Sequence, residues 1–484
     1  MKRIKRLSLL LLILVFGFIL GGCTCKPDNE NGGNGTTPAG SVTLDFYSLN
    51  DFHGAMFNDG KGAPGFAAIS HYLKSLNQEK SIILSAGDMF QGTALSSMTR
   101  GRVVVEAMNE AGFVAMALGN HEFDWGEEHI ARYVDGEQEN GEADFAFLGA
   151  NIKDLRTGEL ASFVKPYHIV EKSGVKIGII GLIGLGLESD ISRNFVENFQ
   201  FTSELEAIKL YAPILRGEHE CEIVVVSVHN DTSPINEAIA NLSGNQRVDL
   251  VFNGHTHYYY AAEQRRSNDV PLAIVQSGSS GRYVGKIQVV YDRDNKKVTD
   301  ISAENIKTAT FSKEDQKILD LYQNYQDVID ISEEVLGQAK VDIYREEATT
   351  WAVNVLQKTA DTDFAIINTG GIRRDAFPIR ANTDVLYDNI FRIMPFENTI
   401  IKTNLTGSQI KGLRGSNPMA IRDGLDYDTL VEEDLYTIAT IDYLFYKDYR
   451  LESGANPDFT GDLFRDYLVA AVKQSVLENG YWIL

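Results

Sequence analysis

The chain has 484 residues, 44% of them hydrophobic and 23% charged, which is room for two or three domains with cores of their own. Its 67 acidic residues outnumber 45 basic ones, a formal charge of −22 that argues against a surface made to hold a nucleic-acid polymer. Three cysteines, Cys23, Cys25 and Cys221, are too few and too scattered for a disulfide framework, so the domains stand on their packing.

The N-terminus is basic from Met1 to Arg6 and apolar from Leu7 to Leu20, and the small residues Gly21 and Gly22 follow. That order is the order of a secretory signal over residues 1–22, and the apolar run is short for a stable membrane span. Leu20-Gly21-Gly22-Cys23 resembles a bacterial lipobox, which implies that Cys23 carries lipid and anchors the chain to a membrane. Residues 23–41, with the run KPDNENGGNGTTPAG, read as a flexible tether in which Cys25 is a spare thiol. The working part is therefore expected outside the cytoplasm.

From 42 to 311 the chain alternates β-rich apolar runs (TLDFYSL, SIILSA, FVAMALG, ADFAFLGAN, VKIGIIGLI, CEIVVVSV, DLVFNG, PLAIVQSG) with helical patterns, the rhythm of a layered α/β domain. Residues 312–336 read as one connecting amphipathic helix, capped by Ser312 and Asp315, with Ile318, Leu319, Tyr322, Tyr325 and Ile329 on its apolar face. Residues 337–484, with DFAIINTG, TIIKTNL and LYTIATI, form a second domain. No internal repeat is present.

All nine histidines precede residue 260, so the second domain supplies no imidazole. Five of them follow directly on apolar strands: His53 after Asp51, His121 after Asn120, His229, and His255 with His257. Asp88 stands at another strand end, in Ser85-Ala86-Gly87-Asp88. In open α/β sheets a ligand site lies beyond the carboxyl ends of the strands, so these segments can converge despite their separation along the chain. What converges is a mixed set of carboxylates, imidazoles and an amide oxygen, which are metal ligands. An isolated Asp-x-His is more often just a turn; five such segments in one domain point to a metal centre. His71, His129, His168 and His219 lie in helical or loop contexts and read as surface or packing residues.

Asp51-x-His53, Gly87-Asp88, Gly119-Asn120-His121-Glu122-Phe123-Asp124 and Gly254-His255-Thr256-His257, in this order, resemble the calcineurin-like metallophosphoesterases and, more closely, the two-domain 5′-nucleotidase family. The resemblance implies a four-layered α/β/β/α catalytic domain and a smaller α+β substrate-specificity domain. It implies two divalent metal ions, one held by Asp51, His53, Asp88 and His257, the other by Asp88, Asn120, His229 and His255. The shared Asp88 would hold the cations near enough to clamp one phosphoryl group. His121 would contact that group, with Asp124 orienting its ring. The ligand types suit Zn, Mn, Fe or Co. The chain departs from the family after His229, where Asn230-Asp231-Thr232 stands and a glycine is usual.

In the second domain, Asn368-Thr369-Gly370-Gly371-Ile372-Arg373 is similar to the family's Asn-Gly-Gly-Gly-Ile-Arg segment, which implies that Arg373 binds substrate phosphate and Asn368 the base. Met394-Pro395-Phe396-Glu397-Asn398 resembles the Pro-Phe-x-Asn segment, making Phe396 one jaw for a nucleobase, with Asn398 beside it. Tyr443 stands near the family's second aromatic and is the candidate for the other jaw. The family's Gly-Gly-Asp-Gly segment is replaced by Phe445-Tyr446-Lys447-Asp448-Tyr449, leaving Asp448 as a stand-in for the ribose-binding aspartate. Arg345 is an approximate counterpart of a further phosphate-binding arginine, while Arg374 and Arg380 are expected to face solvent.

These residues point to an exported, lipid-anchored phosphohydrolase acting on nucleoside 5′-monophosphates, with a small nucleotide as its partner and no obligate protein partner. The same site suits a 2′,3′-cyclic nucleotide phosphodiesterase or a nucleotide-sugar diphosphatase. A reading of another class is a surface lipoprotein that captures nucleotide with little turnover; a complete hydrolytic set of side chains argues against it.

Overall fold

The structure, a computed structural model, describes residues 40–484 apart from 231, 232, 267, 268 and 416. The leader and nearly all of the tether, with Cys23 and Cys25, lie outside the described residues. Among those described, no helix is long and apolar enough to cross a membrane.

Four parallel strands open the fold: β1 (Ser41–Leu49), β2 (Ser81–Ser85), β3 (Ala115–Ala117) and β4 (Ala146–Leu148). A second sheet follows, with β5 (Tyr167–Lys172), β6 (Val175–Ile183), β7 (Ile223–His229), β8 (Leu250–Asn253), β9 (Tyr259–Arg266) and β10 (Asp269–Ser277). The chain then returns to the first sheet as β11 (Tyr283–Asp292) and β12 (Lys297–Lys307), whose antiparallel pairing extends it past β1. The spatial orders are β12-β11-β1-β2-β3-β4 and β9-β10-β8-β7-β6-β5.

Strand periodicity explains the layering, because successive side chains leave a strand on opposite faces. On β1, Val42, Leu44 and Phe46 join Ile177, Ile179, Val225 and Leu250 in a core between the two sheets. Tyr47 and Leu49 point the other way, into a core shared with the helices Phe66–Ser75 and Arg102–Ala111. Val224, Val226 and Val228 of β7 likewise pack outward against the helix Glu204–Gly217. The result is helices, sheet, sheet, helices. Cys221 is buried in that outer layer.

The connector differs from the single helix expected of 312–336. It is two short helices, Gln316–Gln323 and Gln326–Ser332, with a break at Asn324 and Tyr325. The break lets two tyrosines satisfy their hydroxyls in different places: Tyr322 donates to the Met56 carbonyl at 2.8 Å and Tyr325 to Glu106 at 2.7 Å. Ile318, Tyr322 and Ile329 belong to the same core as Phe66 and Val104, so both helices pack on the first body. Asp315, not Ser312, is the cap; it accepts from the Lys317 N–H at 3.2 Å, from the Ser70 hydroxyl at 2.7 Å, and pairs with Lys74 at 3.1 Å.

Beyond it, a five-stranded sheet runs through β13 (Phe364–Ile366), β14 (Thr399–Thr406), β15 (Met419–Ile421), β16 (Leu435–Ile441) and β17 (Ala455–Leu463), in the order β15-β13-β16-β14-β17. Helices Arg345–Ala360 and Phe464–Asn479 bury Ala352, Leu356, Leu468 and Val472 in a core that shares no residue with the three earlier ones.

Asp315→Ala removes both the cap and the contacts to Ser70 and Lys74. It is expected to lower stability by about 1–2 kcal/mol, read as a shift of the denaturant midpoint, while metal content stays the same.

Candidate functional site

The parallel strands of each sheet end on the same edge, and the residues singled out above follow those ends: Asp51 and His53 after β1, Asp88 after β2, Asn120 and His121 after β3, His229 closing β7, His255 and His257 after β8. Two bonds stitch the sheets together there. Ser227 Oγ donates to the Ser85 carbonyl at 2.9 Å, and His229 Nδ1 lies 2.8 Å from the Ala86 carbonyl.

The backbone turns sharply to present these side chains. Asp51, His53, Asp88, His255 and His257 all have positive φ, between 49° and 81°, a region that costs a non-glycine residue energy and is held only when the surroundings demand it. Gly254 is required beside them, since a Cβ there would lie 2.6 Å from the Ala86 carbonyl and 2.8 Å from His229 Nδ1.

Two sets of ligand atoms result: Asp51, His53 and His257, and Asp88, His229 and His255, each gathered within 4.8 Å. In the first, His53 Nε2 and His257 Nε2 stand 3.0 Å apart, and His257 Nε2 is 3.6 Å from Asp51 Oδ1. In the second, His229 Nε2 is 3.1 Å from Asp88 Oδ2, and Asn120 Oδ1 lies 3.2 Å from His229 Nε2 and 3.1 Å from His255 Nδ1.

The donor chemistry fits cations. His53 Nδ1 lies 2.8 Å from the Gln91 carbonyl, so the ring donates there and turns the Nε2 lone pair toward His257. Burial, then His257 and Arg373, hold His53 well below the usual imidazole value, and burial pushes His255 and His257 down to about 4, with His229 and Arg373 the next largest influences respectively. These are neutral rings whose lone pairs converge. Burial raises Asp51 to about 7, with the Asp88 charge adding and His229 opposing. Burial also works against a charge on His229, but Asp88 overrides it and lifts that ring to about 9. Burial opposes a charge on Asp88 too, but His229 and His121 hold that carboxyl well below its usual range, and a pair of carboxylates gathered beside neutral imidazoles suits positive ions.

His121 stands apart from both sets. Its Nδ1 is 2.8 Å from Asp124 Oδ2, which fixes the ring and leaves Nε2 facing the cavity. Its backbone N–H donates to Asp88 Oδ1 at 2.9 Å. Glu122, present in the sequence motif but given no role by it, proves to be the clamp beneath the site. Its buried carboxylate accepts from the N–H groups of Asp88, Met89, Phe90 and Gly119 at 2.9, 2.8, 3.3 and 2.7 Å.

The second body closes over this edge. Arg373 Nη1 lies 3.4 Å from His121 Nε2, and its Nη2 lies 3.5 Å from His53 Nε2. Asn368, Arg373, Phe396, Asn398 and Tyr443 all line a cavity of about 910 Å³ shared with Asp88, Asn120, His121, His255 and His257. Phe396 stands 5.8 Å from the His121 ring. Phe195 lines the same cavity from the first body, an aromatic wall that no motif announced.

Asp448 does not join them. It caps the helix Tyr449–Glu452 and pairs with Arg450 at 2.5 Å, because without glycines the segment Asp442–Lys447 coils into a helix and carries Asp448 past the cavity. Lys447 from that helix instead reaches the first body, donating to the Ser189 carbonyl at 2.8 Å and to the Tyr443 hydroxyl at 2.6 Å. Arg345 donates to the Ile372 and Thr369 carbonyls at 2.7 and 2.6 Å and so braces the turn before Arg373 while lining the cavity. Arg374 and Arg380 are exposed, Arg374 at the cavity rim and Arg380 paired with Asp342. Asp375, Arg345's bracing role and the tie from the Ala94 N–H to Asp388 at 2.7 Å carried no signal in the sequence reading. The histidines His71, His129, His168 and His219 do not line the cavity; His129 is tied to the Trp125 carbonyl and His219 to Tyr167.

Comparison with known proteins agrees with this geometry. Residues 45–259 match the calcineurin-like phosphoesterase family and residues 331–413 the 5′-nucleotidase C-terminal domain. A calcineurin-like phosphoesterase joined to that domain defines the class, one of hydrolases that use divalent metals. The chain thus carries both of the domains that make up the two-domain 5′-nucleotidases. It is 28% identical over 410 residues to Endonuclease YhcR of Bacillus subtilis (strain 168), covering 78% of this chain and 33% of that protein. It is 25% identical over 446 residues to a 5′-nucleotidase of Vibrio vulnificus (strain CMCP6), covering 81% of this chain and 77% of the relative. The fold is that of the crystal structure of a 5′-nucleotidase precursor from Thermus thermophilus, with a TM-score of 0.74 at 21% identity over 90% of this chain and 96% of that one. The chain spans 33%, 56% and 25% of the length of three curated relatives, less than two thirds of each.

Glu122→Gln keeps the shape of the clamp but weakens its four charge-assisted bonds. It is expected to lower divalent-metal affinity by about 10- to 100-fold, measured by calorimetric titration of Mn²⁺ into stripped protein.

Proposed function

We propose that the chain hydrolyses nucleoside 5′-monophosphates to nucleoside and inorganic phosphate with two divalent cations. The observation that carries this reading is the meeting, in one cavity, of two converging ligand sets, the His121–Asp124 pair and an arginine and aromatic ring from the second body. Asp51, His53 and His257 would hold one cation, Asn120, His229 and His255 the other, with Asp88 shared. When bound, the cations supply Lewis acidity and make water a competent nucleophile at neutral pH.

The chain's own residues do the rest. Arg373 sets a planar fork of donors against the phosphoryl oxygens. As the bond from phosphorus to the 5′ oxygen breaks and a water oxygen takes its place, His121 Nε2 meets the charge that builds there, held in position by Asp124. Phe396 and Tyr443 offer aromatic faces to the base, with Asn368 and Asn398 as its polar contacts. Reactant orientation comes from the second body and bond cleavage from the first. We further read residues 1–22 as an export signal and Cys23 as a lipid anchor, which would place the enzyme outside the cytoplasm.

Phosphate release from AMP, UDP-glucose and cyclic AMP, with and without Mn²⁺, tests the reading. AMP is expected to be turned over only with metal; preference for cyclic AMP or UDP-glucose would sink the assignment. Asp88→Asn and His121→Ala should each lower kcat by about 10²- to 10⁴-fold. Phe396→Ala should raise KM for AMP while sparing a small aryl phosphate.

A further inference from the structure

Gln91 is 1% exposed and lines the catalytic cavity, yet neither its Nε2 nor its Oε1 has a partner. Among the described residues it is the one buried amide side chain left open at both ends. Unpaired buried polar atoms destabilise a fold, so a carboxamide kept in this state points to something that completes it.

Its position is fixed from both sides. The three N–H groups that precede it, of Asp88, Met89 and Phe90, are held by Glu122. Its own carbonyl faces His53 Nδ1 at 2.8 Å. After it, Gly92 N–H donates to Ser97 Oγ at 3.3 Å and Thr93 Oγ1 to the Gly54 carbonyl at 2.6 Å. With the main chain so tied, the side chain is held in the wall of the cavity. Arg373, spanning His53 and His121, is the guanidinium that the proposed function sets against the phosphoryl oxygens from the second body. Gln91, whose carbonyl is one hydrogen bond from His53, lines the same cavity from the first body.

We infer that Gln91 is a substrate-binding residue whose Nε2–H donates to a phosphoryl oxygen of the bound ester; this rests on the phosphoesterase reading above. Phosphoryl oxygens carry no proton at the pH of catalysis beside cations, so the donor end of the amide serves them and Oε1 is left to accept from water or a hydroxyl. A neutral donor also adds no further negative charge beside Asp88, which lines the same cavity.

The test uses the full chain loaded with Mn²⁺, as wild type, Gln91→Met and Gln91→Glu. Inorganic phosphate affinity is measured by calorimetry, with metal content and Tm alongside. The methionine variant is expected to bind phosphate about 10-fold more weakly, with two metals retained and Tm unchanged or higher, since the unpaired amide is gone. The glutamate variant, facing an anion with a charge, is expected to fall by about 100-fold. A fall in Tm would make Gln91 structural, and loss of metal would make it a ligand; either overturns the inference. If wild type binds phosphate and cleaves AMP while the methionine variant matches it in both, the inference alone fails. If wild type does neither, the phosphoesterase reading falls and takes it along.

Discussion

Everything in this molecule depends on a row of left-handed turns at the carboxyl edge of two sheets. A residue with a side chain loses about 1–3 kcal/mol in such a conformation, and Asp51, His53, Asp88, His255 and His257 all adopt it. The sheets on either side leave no other path, because the strands are locked by the core between them and the loops must reverse within a residue or two. Buried N–H groups offset the strain and the burial of charge: His255 donates to both oxygens of Asp51 at 3.0 Å, His121 to Asp88, and four more to Glu122. The backbone thus holds the candidate ligand side chains in place.

That is also why so much of it was legible in the sequence. Apolar runs of β-formers ending in Asp, His or Asn mark strand ends, and strand ends on one edge must converge whatever their spacing along the chain. The alternation in Val42, Leu44 and Phe46 against Tyr47 and Leu49 likewise carries the layering in plain view. The residues that escaped were those whose role is set by what lies opposite them. Glu122 reads as part of a motif until its four donors are seen. Gln91 has no pattern at all, being one polar residue in a loop. The break at Tyr325 depends on Glu106, more than two hundred residues away. Asp448 failed for a simpler reason: an aspartate of the right type is not a counterpart when the glycines that would aim it are absent and the backbone becomes helix.

The division of labour between the bodies has an electrostatic logic. The chain carries far more acid than base, and its metal-side edge concentrates buried carboxylates, yet the anion it is read to cleave must enter there. Arg373 delivers its guanidinium from the second body to within 3.5 Å of two imidazoles, so a positive charge for the proposed anion comes from the other body. The polar ties between the bodies, Arg100 with Glu397 at 2.6 Å, Ala94 with Asp388, and Lys447 with Ser189, ring the cavity on several sides and hold the guanidinium over the edge.

The two connector helices are packed into the first body's core through Ile318, Tyr322 and Ile329, and the second body's earliest core residue is Leu336. The stretch between the two cores is therefore only a few residues long, around Glu333 and Glu334. So short a link, together with the polar ties that ring the cavity, gives the two bodies little slack between them. The two helices, ending at Ser332, thus form part of the first body's wall and not a free linker.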